Sequence, residues 1–87
     1  MSRTKPKPSI QRFGEKLKAL RLERGLTLQK FAESLGYRAH GYISELEAGK
    51  KTPTVEFVLS ISQLYDVSID ELLKDNLELS LSSKKRH

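Results

Sequence analysis

The sequence predicts an all-α fold, a compact bundle of five short helices. Apolar residues recur three and four positions apart along most of the chain. Three of these stretches stop at a glycine, Gly25, Gly36 and Gly49. A helix-start box, Ser68-Ile69-Asp70-Glu71, opens a further one. Eighty-seven residues suit one domain with one small core. With 37% apolar and 31% charged residues, the composition is polar yet rich enough in Leu, Ile, Val and Phe to fold. No cysteine occurs, which excludes disulfides and thiolate metal sites. His40 and His87 lie far apart in sequence, so neither a metal nor another cofactor is expected. The longest apolar run is three residues, which predicts no membrane span, and a cytoplasmic location is expected.

Residues 1–9 carry two prolines, three cations and little apolar material, as in a flexible basic arm. Ile10, Phe13, Leu17 and Leu20 mark one face of a first helix over 10–24, with Lys16, Lys18, Arg21 and Arg24 on its other faces. Thr27 is a suitable cap for a second helix bearing Leu28, Phe31, Ala32 and Leu35. After the connector 37–39, a third helix around 40–48 turns Ile43 and Leu46 inward. Thr52 or Thr54 caps a fourth, and Thr52 would place Pro53 at a favoured first position. Val55, Val58, Leu59, Ile61 and Leu64 give that helix a broad apolar face. Ser68 caps the fifth, which ends near 74–75 and completes a domain over 10–75. From Leu77 the period changes to two, with Leu77, Leu79 and Leu81 on one side. Three outcomes fit residues 76–87: a short β-strand pairing with a second copy, a longer fifth helix, or a tail laid on the core. In the first, Leu72, Leu73, Leu77, Leu79 and Leu81 form a dimer interface.

The net charge is +5, unevenly placed. Residues 1–51 hold 12 basic and five acidic side chains, whereas residues 52–83 hold one basic and six acidic. Such asymmetry suits one side facing a polyanion, and also suits simple solubility.

Leu20-Arg21, Arg24-Gly25-Leu26-Thr27, Phe31-Ala32, Leu35-Gly36, Tyr42-Ile43-Ser44, Leu46-Glu47-Ala48-Gly49-Lys50, Pro53, Leu64-Tyr65-Asp66-Val67-Ser68 and Asp70-Glu71-Leu72-Leu73 occur in that order. With these blocks over residues 13–73, the chain resembles the Cro/repressor-type helix-turn-helix (XRE) family of bacterial and phage regulators. The resemblance implies a lambda repressor-like fold that binds double-stranded DNA, and an ion pair of Arg21 with Glu47. Two features depart from the family pattern. Leu28 stands where Gln usually follows the second helix's cap, with Gln29 next, and the turn before Ile43 is one residue longer.

A recognition helix reads base edges with its exposed face and first turn. Arg38, Ala39, His40, Gly41, Ser44 and Glu45 are the candidates. Arg38 suits guanine, a phosphate or a solvated loop equally well. His40 suits a base edge or an exposed helix start, and Glu45 suits cytosine N4 or ordinary surface charge. Gly41 allows close backbone approach but weakens a helix. For phosphates the candidates are Thr27, Gln29, Lys30, Tyr42, Lys50, Lys51 and Thr52, with Arg3, Lys5 and Lys7 of the arm. Tyr42 also suits partial core packing.

The leading expectation is a sequence-specific transcription regulator, a repressor acting as a homodimer on a pseudo-palindromic operator. The competing one is a protein-interaction module or antitoxin-like partner of another protein, with DNA binding secondary. No segment is left for a sensor, so no small-molecule effector is expected. No catalytic constellation is visible, and an enzyme is not expected.

Overall fold

A computed structural model describes residues 10–80. The arm, with Arg3, Lys5 and Lys7, and the end from Leu81 onward lie outside the described residues. Five helices follow in order: α1 (Phe13–Glu23), α2 (Leu28–Ser34), α3 (Gly41–Glu47), α4 (Val55–Tyr65) and α5 (Ile69–Leu73).

The helix ends follow local chemistry. α1 starts at Phe13 rather than residue 10, and just ahead of it the Asp75 carboxylate accepts from the Gln11 and Arg12 amides at 3.0 and 2.9 Å. It stops before Gly25, whose φ of +71° lets the Leu26 amide turn back onto the Arg21 carbonyl. Gly49, at φ +78°, ends α3 in the same way. The Thr27 hydroxyl caps α2 by accepting from the Lys30 amide at 3.0 Å. α4 is capped by Thr54, not Thr52: its hydroxyl accepts from the Phe57 amide at 3.1 Å, which leaves Pro53 outside the helix. Ser68 caps α5, accepting from the Glu71 amide at 3.2 Å. The Glu71 carboxylate itself accepts from the Ser80 amide at 2.9 Å.

Leu17, Leu20, Phe31, Ile43, Leu46, Phe57, Ile61 and Leu72 are fully buried and form one core. Each such side chain contributes roughly 1.5–3 kcal/mol by leaving water. No single helix of five to eleven residues would persist alone, so this shared core holds all five. Phe57 packs edge-on against Phe13 and Tyr42, with Tyr37 tilted beside it.

Two contacts set α3 against α1. A β-carbon at Gly14 would lie 2.5 Å from the Leu46 carbonyl oxygen and 2.7 Å from that of Glu47, so only glycine permits this approach. Arg21 and Glu47 add an ion pair, with side chains only 10% and 8% exposed.

Two expectations require correction, and one of three open outcomes is narrowed. Lys16, assigned to a polar face, is buried, and its ammonium donates to the Glu71 and Lys74 carbonyls at 2.6 and 2.7 Å. Val55, Leu59 and Leu64 of α4 are exposed, at 73%, 42% and 52%. The broad apolar face of α4 is therefore wider than the core can cover. Among the described residues there is no β-strand. Half-buried Leu77 and Leu79 alternate with exposed Glu78 and Ser80 as the period of two requires, and Leu79 lies against the chain's own core. Arg12 fastens this segment, donating to both Glu78 oxygens at 2.9 and 3.1 Å and to the Asp75 carbonyl at 2.8 Å. Leu72 is wholly inside the core and offers no surface to a second copy, while Leu73 is half-buried. Leu81 lies outside the described residues.

Candidate nucleic-acid interface

α3 sits on the core by one edge only. Ile43 and Leu46 are buried, while Gly41, Glu45 and Ala48 are exposed and Ser44 is half-buried. Arg38, Ala39 and His40, in the turn leading into it, are exposed as well. The candidate base-reading residues thus form one continuous outward strip along the turn and α3. Seven residues of helix are about 10 Å long. That length fits a major groove about 12 Å wide.

The turn before α3 is braced from α2. Gln29 Nε2 donates to the Arg38 carbonyl and to Glu33 Oε2, both at 3.0 Å. Its amide group is therefore spent inside the chain, and the Thr27 hydroxyl is spent as a cap. What the start of α2 leaves open is its first backbone N–H groups and the exposed Lys30.

Beyond α3, Lys50, Lys51 and Thr52 are all exposed. Lys51 Nζ lies 3.4 Å from Glu45 Oε1, linking the loop to the outward strip. Ile10 and Gln11 line one crevice together with Gly49, Lys51 and Thr52. The point where the arm joins the fold is therefore beside the lysine loop.

Tyr42 does not fit the phosphate-binding set. Its hydroxyl is buried, with no hydrogen-bond partner among the described residues. Its ring stands 5.4 Å from both Tyr37 and Phe57. This is the core packing that the sequence left as an alternative. Burial pushes the neighbouring Tyr37 phenol above its ordinary value, with smaller contributions from Tyr42 and Glu56.

Among the described residues, no group of His, Asp and Glu is placed to hold a metal ion. No described helix is long and apolar enough to cross a membrane.

The helix-turn-helix family profile matches residues 17–72. The HTH-type transcriptional activator BcrR of Enterococcus faecalis is 40% identical over 70 residues, covering 80% of this chain and 34% of BcrR. The chain thus spans about a third of that relative's length. The cryptic phage CTXphi transcriptional repressor RstR of Vibrio cholerae is 34% identical over 77 residues, 85% of this chain and 68% of RstR. Among solved structures, the clp gene regulator ClgR of Corynebacterium glutamicum matches with a TM-score of 0.64 and 31% identity. That match covers 77% of this chain and 71% of ClgR. With the matched stretch running from within α1 to within α5 and containing the whole of α2, α3 and α4, the chain belongs to the Cro/repressor-type (XRE) helix-turn-helix family.

Proposed function

We propose that this chain is a sequence-specific DNA-binding transcription regulator, a repressor that binds a pseudo-palindromic operator as a homodimer. One observation carries the reading: α3 is anchored by Ile43 and Leu46 and turns Arg38, Ala39, His40, Gly41, Ser44 and Glu45 outward, with cations beyond its end. The strip reads bases in the major groove. The α2 start, Lys30 and the Lys50–Thr52 loop hold the phosphates on either side. Arg3, Lys5 and Lys7 of the arm add further cations for the phosphates.

One such domain reads few base pairs, and two copies one helical turn apart supply a useful site. The exposed Val55 and Leu59 border an apolar cavity of about 250 Å³ that Ile69 and Leu73 also line. This face supports a second copy as its occupant, and Leu73 takes part in place of Leu72. RstR, named a repressor, supports repression as the outcome.

Selection of bound duplexes from a random pool tests the proposal. The expected result is a two-fold symmetric site with half-sites about 10 base pairs apart. Affinity should fall steeply with salt, with a log–log slope near −0.9 per phosphate contacted. Absence of enrichment at low ionic strength would contradict DNA binding and favour a protein-interaction module.

A further inference from the structure

The two lysines after α3 are not equivalent. Lys50 makes no ion pair among the described residues. Lys51 stands 3.4 Å from Glu45, and the two side chains are 53% and 48% exposed. An exposed pair of this kind contributes little to folding. Its consequence lies in where the charges are. Glu45 is the carboxylate on the outward strip, since Glu47 is committed to Arg21. A bare carboxylate there would be repelled by the phosphates flanking a groove. A cation at its side offsets that repulsion and restricts the carboxylate's orientation.

We propose that Lys51 is a positioning residue that sets base preference through Glu45. Its ammonium holds the carboxylate toward the groove, where Glu45 accepts a hydrogen bond from a cytosine amino group. Lys50 serves as a phosphate grip alone. The inference rests on the DNA-binding reading above and deepens it, since it assigns the discrimination to a pair rather than to one residue of α3.

The test is selection from a random duplex pool with the wild-type chain and five variants: K50A, K51A, K51R, E45A and E45A/K51A. Thermal unfolding of each variant verifies that these exposed substitutions leave the fold intact. E45A and K51A should both lose preference at the same base pair of each half-site, by roughly tenfold. K51R should keep that preference, and K50A should weaken binding with the selected sequence unchanged. Adding K51A to E45A should lower affinity without a further change in preference. The coupling is overturned if K51A keeps the wild-type preference, if it alters a different base pair from E45A, or if E45A alters none. In each of those cases the wild-type chain still selects a site, and the DNA-binding reading stands. A wild-type chain that enriches nothing overturns both.

Discussion

Arg21 and Glu47 meet through two hydrogen bonds, Nε to Oε2 at 2.8 Å and a terminal guanidinium nitrogen to Oε1 at 3.1 Å. The other terminal nitrogen donates to the Leu26 carbonyl at 3.0 Å. One side chain thus ties α1 both to the end of α3 and to the turn before α2. Glu47→Ala would leave a largely buried guanidinium without its carboxylate. Such losses cost roughly 3–5 kcal/mol. Thermal unfolding should show a midpoint more than about 10 °C lower. A change of one or two degrees would mean that the pair does not hold α3.

Gly14 places the same two helices by a different means. In Gly14→Ala the new methyl would meet two backbone carbonyls, neither of which can rotate away. α3 must shift outward at its Leu46–Glu47 end. A stability loss of about 1–3 kcal/mol is expected. DNA affinity should fall further than unfolding accounts for, measured at a temperature where the variant is fully folded. Unchanged stability and affinity would contradict the close approach.

The segment after α5 should respond to pH. The Arg12 guanidinium, by its hydrogen bonds and charge, holds the Glu78 carboxylate below the ordinary range. A carboxylate lowered in the folded state stabilises above its unfolded value, and the effect disappears as pH falls through the lowered value. Amide exchange at Leu77 to Ser80 should therefore accelerate on acidification below the ordinary carboxylate range. Glu78→Gln should show the faster exchange at neutral pH as well. Exchange independent of pH, once corrected for intrinsic chemistry, would argue against the Arg12 clasp.

The α4 face offers a separate test. Leu59→Glu places a charge on an exposed apolar face without touching the core. Sedimentation should show a weakened dimer, with the unfolding midpoint of the monomer nearly unchanged. A dimer of undiminished strength would exclude this face.

Much of the fold was legible because its signals are local. The glycine stops, the Thr27 and Ser68 caps, and the inward turn of Ile43 and Leu46 need only neighbouring residues to specify them. What escaped depends on distant partners. Lys16 reads as a solvated cation, and only the two carbonyls at the end of α5 explain why it is buried. Gly14 sits in an ordinary helical stretch, and its role is a backbone contact with α3 that no side-chain pattern reports. The period of two after Asn76 described the alternation of Leu77 and Leu79 but not that Leu79 packs against the chain's own core. At the candidate interface, the outward strip followed from the inward anchors. For the phosphate candidates Gln29 and Tyr42 the sequence could not show their partners: the Gln29 amide is bonded to the Arg38 carbonyl and to Glu33, and the Tyr42 hydroxyl is buried, in line with the core packing left open for it.

The most direct test of the central claim is an NMR titration of the isotope-labelled chain with its selected duplex at low ionic strength. The outward residues 38–41, 44 and 45, the start of α2 with Lys30, and the loop 50–52 should carry the large amide shift changes, while the α4 face around Leu59 should carry few. Changes centred on α4 and α5, or none at any duplex concentration, would contradict the assignment of α3 as the surface that meets DNA.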